Sequence, residues 1–363
     1  MRVLHVAESI GINSGGVGVV VEHLHKGLDE KGIESCIVTQ SSIDDIDALY
    51  GCDNQKHSKF YQIKNNLEFL LSEIKPEIIH IHGLWNIHSH ACINFSKRNK
   101  TRVILSPHGM THPWALNVSK LKKKIYKLLV LDNLIDKIDA FLALTDEESQ
   151  SINNFVNNTS KIYVVPNPIK IHKEVINVKD RKDIIFIGRI TEQKGVNKML
   201  SLWKDIFEKN KCLENRLNIY GDGEGSYFRE FEKQLKVTPH AAYHGPIYGK
   251  NKTNVLNKSK ALLMMSEFEG LPMMALESMS FGVPIICNQN CGLNLEIQNG
   301  LVFSLLKKED HLDRLGNILQ NLESYSLSDA KKLIAHTEKY YSYDKVIDDM
   351  INVYKRVCSE DNQ

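Results

Sequence analysis

Short runs of apolar residues alternate with amphipathic stretches along almost the whole chain of 363 residues. The runs are apolar without polar alternation, which is typical of parallel strands that are covered on both faces. In the first half, the predicted strands are Val3–Val6, Cys36–Thr39, Ile78–Ile81, Val103–Leu105, Ala140–Ala143 and Ile162–Val165, and the predicted helices are Val17–Lys31, Asn65–Ile74 and Lys120–Ile135. In the second half, the predicted strands are Ile184–Ile187, Leu217–Tyr220, Ala261–Met265, Pro284–Cys287 and Leu301–Phe303, and the predicted helices are Lys194–Lys209, Ser226–Lys236 and Pro272–Phe281, with a helical tail over Leu327–Cys358. This order of strands and helices predicts an α/β fold with parallel sheets.

The length of the chain predicts two domains, because a single hydrophobic core stops growing at about 250–300 residues. The stretch Pro166-Asn167-Pro168, followed by the polar run Lys170–Lys182, is expected to be the linker, since proline interrupts regular structure. We therefore expect an N-terminal domain over 1–168 and a second domain over 169–342.

Composition and charge exclude some classes of protein. The 46 basic and 44 acidic residues almost cancel, so that the overall charge does not indicate a nucleic-acid-binding protein. Seven cysteines without a CxxC pair favour reduced thiols in a cytoplasm. The N-terminus begins with a strand-like pattern rather than a signal peptide, and no apolar run reaches the roughly 20 residues of a membrane span. These features predict a cytoplasmic protein.

Two glutamates of the second half lie around the N-terminus of a predicted helix. Pro272 suits the first turn of this helix and Gly282 its end. Because the helix follows a strand, its N-terminus lies at the carboxyl edge of the sheet, where free N–H groups favour phosphate. Glu269 precedes the helix and Glu277 lies within it, and carboxylates accept hydrogen bonds from sugar hydroxyls. Alternatively, Glu277 pairs with a lysine and Glu269 caps the helix.

Two cations, Arg189 and Lys194, lie between a strand that ends at Gly188 and the next predicted helix. Cations at this position can neutralise a diphosphate leaving group as its charge develops. Each residue taken alone is also compatible with an ordinary surface position.

The segment from Glu269 to Glu277 closely resembles the Glu-x7-Glu motif of the family 4 retaining glycosyltransferases, which have the GT-B fold. The resemblance implies that Glu269 contacts the donor sugar near the reacting carbon and that Glu277 holds the ribose hydroxyls of the nucleotide. It also implies that the backbone of Gly270, Leu271 and Pro272 approaches the diphosphate.

The spacing Gly-Arg-x4-Lys-Gly, which begins at Gly188, is similar to the diphosphate clamp of the same family. The resemblance therefore assigns Arg189 and Lys194 to catalysis and to donor binding. The turn that contains Gly221 resembles the family's glycine-rich turn near the base, although such turns often have no ligand. The segment Cys291–Glu296 is loosely similar to the loop that closes on the donor.

In the first half, glycines directly follow the first strand. Asn13-Ser14-Gly15-Gly16 opens a helix, and glycine lets the backbone approach a ligand closely. The segment lacks the third glycine and the acidic residue of a dinucleotide-binding fingerprint. It is more similar to the glycine-rich loop of the family's N-terminal domain, which implies that Gly16 contacts the donor phosphate.

Histidines cluster at the ends of predicted strands in the first half. His80 and His82 come before Gly83, and His108 precedes Gly109. A histidine in such a position is often structural, but the resemblance implies that His108 contacts the transferred sugar and is catalytic. His82 and His112 are expected to be neighbours. We expect no metal and no other cofactor, because zinc-ligand spacing is absent and the cations near the donor replace a metal's charge. The Asp45-Ile46-Asp47 pattern is interpreted as a solvated turn.

Residues 114–129 combine apolar spacing with five lysines. Basic amphipathic helices of this kind lie on anionic membranes, whereas the alternative is a core-packing helix with a solvated basic face. Contact with the inner face of the plasma membrane would bring the protein close to a polyprenyl-linked glycan.

The resemblance as a whole implies two Rossmann-like domains that face an interdomain cleft, with the acceptor bound by the first domain and the donor by the second. It also implies that helix 343–359 crosses back to the N-terminal domain. The expected reaction is transfer of a sugar, with retention of anomeric configuration, from a UDP- or GDP-type donor to a glycan or polyprenyl-linked acceptor. Such enzymes resemble those that build bacterial O-antigens, capsules and exopolysaccharides. The alternatives are a sugar-nucleotide epimerase of the same architecture, a nicotinamide-dependent oxidoreductase and a non-catalytic sugar-nucleotide-binding protein.

Overall fold

The computed structural model describes residues 1–10, 15–41, 60–62, 67–85, 88–156, 161–172, 178–209, 214–305 and 311–359. The chain folds into two compact units, Met1–Pro168 together with Tyr343–Gln363, and Ile169–Ser342. The units change at Pro168 and again after Ser342, at the residues where the sequence analysis placed the domain boundaries. Asn13, Ser14 and the Asp45-Ile46-Asp47 pattern lie outside the described residues.

The first unit contains a parallel sheet of seven strands in the order β3-β2-β1-β4-β5-β6-β7. The strands are β1 (Arg2–Ala7), β2 (Glu34–Thr39), β3 (Phe60–Gln62), β4 (Ile78–His82), β5 (Arg102–Ser106), β6 (Ala140–Ala143) and β7 (Ile162–Val164). The continuous apolar runs are buried along β1, β4 and β5, as expected for strands covered on both faces. The strand order reverses between β1 and β4, so that the loops after these strands diverge at a topological switch point.

Helices of the first unit follow the strands, as in other doubly wound sheets. They are α1 (Gly15–Glu30), α2 (Leu67–Ile74), α3 (His88–Asn99), α4 (Pro113–Asn117), α5 (Lys120–Tyr126), α6 (Asp132–Ile135) and α7 (Asp146–Phe155). A π-helical segment, Lys127–Leu131, joins α5 to α6. The predicted helix Lys120–Ile135 is therefore a helical run whose hydrogen-bond pattern changes in the middle.

The second unit contains a parallel sheet of six strands in the order β10-β9-β8-β11-β12-β13. The strands are β8 (Ile184–Ile187), β9 (Leu217–Tyr220), β10 (Ala241–Tyr243), β11 (Ala261–Met264), β12 (Ile285–Asn288) and β13 (Phe303–Leu305). The helices are α8 (Val196–Lys209), α9 (Gly225–Lys236), α10 (Gly249–Lys258), α11 (Met273–Ser280), α12 (Asn294–Gln298), α13 (His311–Asn321) and α14 (Leu327–Tyr341). Here the strand order reverses between β8 and β11. The two units confirm the predicted α/β class.

The final helix, α15 (Tyr343–Ser359), belongs to the first unit although it follows the second in sequence. Its buried Tyr354 hydroxyl lies 2.8 Å from Nδ1 of His80 on β4, and Asp348 pairs with Lys31 at 2.9 Å. The apolar face of α15 packs against α1, which gives this helix a defined place on the first sheet.

The predicted linker is more ordered than a polar spacer, at least within its described part. Residues Val178–Asp180 form a 3-10 turn, and Arg181 is buried. The Arg181 guanidinium donates to the carbonyls of Phe281 (2.7 Å) and Gly282 (2.6 Å), which lie at the end of α11. Arginine here satisfies the carbonyls at a helix C-terminus, a role that its position in a charged run did not indicate.

Candidate active site

The loops of the second unit that carry the predicted donor-binding residues follow β8 and β11, on either side of the switch point. Open α/β sheets bind ligands in the crevice that forms there, outside the carboxyl ends of the strands. The loop after β8 includes Gly188, Arg189 and Lys194, and the loop after β11 runs from Met265 to Pro272. The strand order therefore brings the two strongest sequence motifs to the same edge of the sheet.

Lys194 and Glu269 form an ion pair across these two loops. The Lys194 Nζ atom lies 2.6 Å from Oε1 of Glu269, and the same oxygen accepts a hydrogen bond from the Ser266 hydroxyl at 2.6 Å. Both side chains are largely buried, with 23% of the lysine and 9% of the glutamate side chain exposed. A partly buried pair is screened less than a surface pair, so that it fixes the position of both groups.

Backbone contacts hold the same two loops together. The Glu267 N–H donates to the Gln193 carbonyl at 2.7 Å, and the Gln193 side-chain amide donates to the Phe268 carbonyl at 3.3 Å. Lys198 also pairs with Glu267. The loop with the cations is therefore attached to the loop with Glu269 at several points.

Arg189 is exposed, and the structure gives its guanidinium no hydrogen bond or ion pair within the described ranges. Its backbone is held in the turn, since the Arg189 carbonyl accepts from the Thr191 N–H at 3.0 Å. An exposed guanidinium on an ordered loop can bind an incoming phosphate with two parallel hydrogen bonds.

The Glu-x7-Glu segment enters helix α11 in an arrangement that differs slightly from the prediction. Pro272 is the N-cap residue and not a residue of the first turn, and no side chain caps the helix. Because Pro272 has no N–H, it offers the diphosphate no donor of its own. The uncapped N-terminus of α11 leaves backbone N–H groups at the end of β11 for an anion.

Glu277 lies in α11 and pairs with Lys252 of helix α10, with distances of 2.7 Å and 3.0 Å from Nζ to the two carboxylate oxygens. The alternative raised for Glu277, a pair with a lysine, is thus present in the structure. The carboxylate remains 16% exposed, so that this pair orients it without removing it from solvent.

Gly188 and Gly221 are in contact at the ends of β8 and β9. A Cβ atom built on Gly221, whose φ is +148°, would lie 1.8 Å from the Gly188 carbonyl oxygen. The position therefore requires glycine for a close backbone approach. The Tyr243 hydroxyl donates to the Gly221 carbonyl at 2.8 Å, which fixes the turn.

The loop after β12 also reaches this edge. The Glu269 N–H donates to the Asn290 carbonyl at 2.9 Å, and the Asn288 amide donates to the Ser266 carbonyl at 2.6 Å. The segment Cys291–Glu296, which was only loosely similar to a donor-closing loop, thus begins beside Glu269.

In the first unit, Gly16 and His108 follow β1 and β5. Gly16 is an exposed residue in the first turn of α1. His108 lies in the turn after β5 and has a left-handed backbone with φ of +52°. The neighbouring Gly109 N–H donates to the buried Glu148 carboxylate, which also accepts from the Leu144 N–H at 2.7 Å. Burial raises the pKa of Glu148, while these two bonds lower it.

Four histidines form a cluster in the first unit, in which His5, His80 and His82 are buried and His108 is half-buried. His5 Nδ1 lies 3.0 Å from His82 Nε2, and His82 Nδ1 lies 3.0 Å from His108 Nε2. His80 bonds to the hydroxyls of Tyr354 (2.8 Å) and Ser106 (2.7 Å). Both nitrogens of His82 are thus used by other histidines, whereas His112 caps helix α4, with its Nδ1 3.2 Å from the Trp114 nitrogen.

Burial lowers the pKa of every histidine in this cluster, because a charged imidazole loses its hydration there. The pKa of His5 falls to about 3 and that of His108 to about 4, and the pKa values of His80 and His82 lie well below the ordinary range. Neighbouring histidines lower the values of His5, His80 and His82 further. All four rings are therefore neutral at pH 7.

His5, His80 and His82 are also placed so that one nitrogen of each lies within 4.8 Å of the others, a spacing compatible with a shared metal ion. Neutral imidazole is a good ligand for zinc. The hydrogen bonds already described occupy most of these nitrogens, however, and a metal would have to displace them.

Several residues of these sites escaped sequence reasoning. Lys252 binds Glu277, Ser266 binds Glu269, and Gln193 joins the two loops. An isolated lysine, serine or glutamine forms no sequence pattern from which these contacts could be predicted. His5 did carry a signal, because it is a polar residue within the otherwise apolar first strand. Buried polar groups in such a strand need partners, and here the partner is another histidine.

Two family models match the chain. Residues 14–173 match the model described as glycosyltransferase family 4, and residues 168–339 match the model described as glycosyl transferases group 1. The two matches together extend from the glycine-rich turn after β1 into helix α14.

Similar proteins span the whole chain. An uncharacterized 41.2 kDa protein in the cps region of Klebsiella pneumoniae is 24% identical and covers 98% of this chain and 99% of its own length. The amylovoran biosynthesis glycosyltransferase AmsD of Erwinia amylovora is 26% identical over 76% of this chain and 77% of its own length. The crystal structure of Anabaena HepE in complex with UDP and glucose has a TM-score of 0.76 at 13% identity and covers 98% of this chain and 100% of its own.

The parallel sheets of the two units, the similarity to solved structures and the two family matches agree with one another. The fold is GT-B, as expected from the sequence. The chain therefore belongs to the group 1 glycosyltransferases with an N-terminal half of glycosyltransferase family 4, and it is a transferase enzyme.

Proposed function

We propose that this glycosyltransferase moves a sugar from a UDP- or GDP-type donor to a glycan or polyprenyl-linked glycan in the synthesis of a bacterial surface polysaccharide. The observation that carries the proposal is the Lys194–Glu269 pair, held between two loops at the switch point of the second sheet. The amylovoran enzyme and the relative from a cps region support the polysaccharide role, and the UDP bound to HepE supports the donor class.

The second unit binds the donor in this proposal. The diphosphate lies between the N-terminus of α11 and the cations Arg189 and Lys194, where the charge of the departing phosphate is stabilised. Glu277 accepts hydrogen bonds from the ribose hydroxyls, and Glu269 does the same for the donor sugar. When phosphate arrives, Lys194 exchanges part of its contact with Glu269 for a contact with the leaving group.

Variants of these residues test the donor site. We expect Lys194→Ala to lower kcat/KM by about 100-fold or more, as for the loss of one group that stabilises the transition state. We expect Glu277→Ala to act mainly on KM, because ribose contacts are the same in the ground and transition states. Steady-state kinetics and titration with a panel of UDP- and GDP-sugars measure both effects.

A matched control is Lys209→Ala. Lys209 is the exposed last residue of α8 and pairs with Asp313 of α13. This substitution should leave kinetics unchanged. If Lys194→Ala and Glu277→Ala fold normally and retain wild-type kinetics with every donor, the donor-site assignment is wrong. Use of NAD, or conversion of the nucleotide-sugar without an acceptor, would instead support the oxidoreductase or the epimerase.

The reaction proposed here retains anomeric configuration and needs no metal. The departing phosphate accepts the acceptor's proton on the same face of the sugar, while Arg189 and Lys194 supply the positive charge that a metal supplies elsewhere. We expect an α-linked donor to give an α-linked product, measured by NMR of the product's anomeric proton, and we expect the rate to persist in EDTA. A β-linked product, or loss of activity that added Mg²⁺ or Mn²⁺ restores, contradicts the proposal.

We also propose that the first unit binds an anionic membrane surface through residues 118–129. Of the twelve large apolar side chains exposed in the described residues, five lie in this segment: Val118, Leu121, Ile125, Leu128 and Leu129. Lys120, Lys122 and Lys124 are exposed beside them, and α5 has no buried residue. Exposed apolar residues with basic neighbours are typical of a helix that lies in the membrane interface.

The exposure of these five apolar side chains favours the membrane surface over a core-packing helix, although Tyr126 of the same segment packs against the core. Lys123 is an exception among the lysines. Its Nζ atom donates to the Ala115 carbonyl at 2.6 Å and lies 5.3 Å from the centre of the Trp85 ring. Within the described part of the chain, none of the helices is long and apolar enough to cross a bilayer. A membrane-bound acceptor would therefore be reached from the surface of the bilayer.

A further inference from the structure

Three histidines of the first unit form a continuous chain of ring-to-ring hydrogen bonds. His5 lies on β1, His82 is the last residue of β4 and His108 follows β5. The two contacts are equal, at 3.0 Å from His5 Nδ1 to His82 Nε2 and 3.0 Å from His82 Nδ1 to His108 Nε2. The chain runs from the middle of the sheet to the turn that carries the predicted catalytic histidine.

The protons in this chain can have only two arrangements. A neutral imidazole has one N–H donor and one bare nitrogen that accepts. Because both nitrogens of His82 are bonded to histidines, His82 must donate to one neighbour and accept from the other. The direction chosen by His82 then fixes which nitrogen of His5 and which nitrogen of His108 carries the proton.

The inner end of the chain favours one direction. His5 is fully buried, and its Nε2 atom has no hydrogen-bond partner among the described residues. If each proton pointed toward His5, Nε2 of His5 would carry a buried N–H without an acceptor. Among backbone groups, a buried donor without a partner is rarer than a buried acceptor without one, and we apply the same preference to the imidazole. The other direction places the protons on Nδ1 of His5, Nδ1 of His82 and Nδ1 of His108.

His80 and Tyr354 hold this chain in place. The rings of His80 and His82 lie 4.0 Å apart between centroids, and His80 is bonded on one side to Ser106 and on the other to Tyr354 of α15. The ring of His82 therefore has a fixed orientation. Hydrogen bonds account for both nitrogens of His80 and of His82, so that the cluster is explained without a metal ion.

We infer that His82 and His5 are positioning residues that hold His108 as the Nδ1–H tautomer, so that the turn after β5 presents an N–H donor and not an acceptor. The role of this donor toward an oxygen of the transferred sugar rests on the function proposed above. The tautomer itself does not, because it follows from the contacts within the first unit. Among the described residues, Nδ1 of His108 makes no hydrogen bond, and it is the nitrogen left for a ligand.

The inference is tested on the full-length protein labelled with ¹⁵N-histidine. Two-bond ¹H–¹⁵N correlation spectra distinguish protonated from bare ring nitrogens, and the loss of signals in His108→Gln assigns the ring. We expect His108 of the wild type to carry its proton on Nδ1. A proton on Nε2 of His108 in the wild type overturns the inference without any variant.

Two substitutions of His82 separate its two bonds. The amide nitrogen of an asparagine occupies about the position of Nδ1, so that His82→Asn keeps a donor to His108. The amide of a glutamine lies near the position of Nε2, so that His82→Gln keeps only the contact with His5. We expect His82→Asn to preserve the Nδ1–H form of His108 and His82→Gln to shift it toward the Nε2–H form.

The kinetic readout follows the same pattern. We expect His82→Gln to lower kcat by about tenfold with little change in KM, and His82→Asn to remain within about twofold of the wild type. Equal behaviour of the two variants in spectra and kinetics would overturn the inference, as would one equivalent of a transition metal in the purified protein by elemental analysis. If the His108 tautomer shifts in His82→Gln as expected but the wild type uses no nucleotide-sugar, the proposed function is wrong and the positioning of His108 by His82 is still supported.

Discussion

Gly292 determines how the loop after β12 lies against the segment that carries Glu269. Its φ of +71° is left-handed, and a Cβ atom there would lie 2.2 Å from the Gly270 carbonyl oxygen and 2.9 Å from that of Glu269. Both neighbours are backbone atoms, so that a side-chain rotation cannot relieve the overlap. The contact joins the loop to the residues that precede helix α11.

Gly292→Ala should therefore displace the loop that carries Glu269. A left-handed alanine costs about 1–2 kcal/mol, and the overlap with Gly270 adds to this cost. We expect the KM for the donor to rise at least tenfold and the second unit to lose stability in urea unfolding. The control is Gly300→Ala, whose φ is +67° but whose Cβ would meet nothing within 4 Å. Equal effects of the two substitutions would show that strain alone matters at Gly292.

Helix α5 and the π-helical segment after it form an element that leaves several large apolar side chains exposed to solvent. Ser119 precedes the helix in a left-handed conformation, and Leu121 is 72% exposed, with Leu128 and Leu129 at 67% each. The π-helical turn over Lys127–Leu131 changes the direction of successive side chains, which lets Leu131 enter the core while its neighbours remain outside. Sequence periodicity alone predicted one regular helix here.

We expect charge and apolar surface to contribute separately to the membrane binding proposed for this element. We expect Lys122→Gln/Lys124→Gln to reduce binding to anionic vesicles by roughly tenfold or more, because each basic residue contributes about 1 kcal/mol. Leu128→Ser/Leu129→Ser should reduce binding as well, and added salt should weaken the effect of the lysines only. Co-sedimentation with vesicles of phosphatidylglycerol and phosphatidylethanolamine measures both variants.

The charge-matched control for this element is Lys233→Gln/Lys236→Gln, which removes two exposed lysines from helix α9 of the second unit. Its vesicle binding should equal that of the wild type. If all three variants bind as the wild type does, the membrane surface assigned to residues 118–129 is wrong.

At the scale of the molecule, the four histidines of the cluster in the first unit link stability to pH. Their pKa values in the folded chain lie below the ordinary 6.5, so that below about pH 7 the unfolded chain binds protons that the folded chain does not. Stability from these groups is complete above pH 7 and is lost as pH falls toward about 4. Each histidine contributes a slope of up to about 1.4 kcal/mol per pH unit.

We therefore expect the free energy of unfolding of the first unit to fall by several kcal/mol, as an order of magnitude, between pH 7 and pH 5. Urea unfolding measures this when Trp85 and Trp114 report on the first unit in a Trp203→Phe background, since Trp203 is buried in the second unit. The variant His90→Gln, which removes an exposed histidine, should show the same slope. A free energy that stays constant over this range contradicts the neutral state of the cluster.

The sequence by itself determined the parallel α/β class, the two units and the motifs of the candidate donor site. Continuous apolar runs such as Ile184–Ile187 are typical of strands covered on both faces. The glycine, the proline and the two glutamates between Glu269 and Glu277 have a fixed spacing, which restricts where the loop ends and the helix begins. The short strands β3 and β10 and the helices α3, α7, α10, α12 and α13 were not predicted. Three-residue strands have little periodicity, whereas α13 buries Leu315, Ile318 and Leu319 on one face, a pattern that could have predicted it.

Only the tertiary structure decided which side chains meet. The pairs Lys194–Glu269 and Lys252–Glu277 join residues 75 and 25 positions apart, and the bond between His5 and His82 spans 77 positions. Strand order creates the first and the third of these contacts, because it places the ends of β1, β4 and β5, or of β8, β11 and β12, side by side. The Lys252–Glu277 pair joins two helices, α10 and α11. The periodicity of a sequence indicates whether a residue is buried. Its partner across a sheet depends on which strands are neighbours, and the order of the strands is determined only when the whole sheet forms.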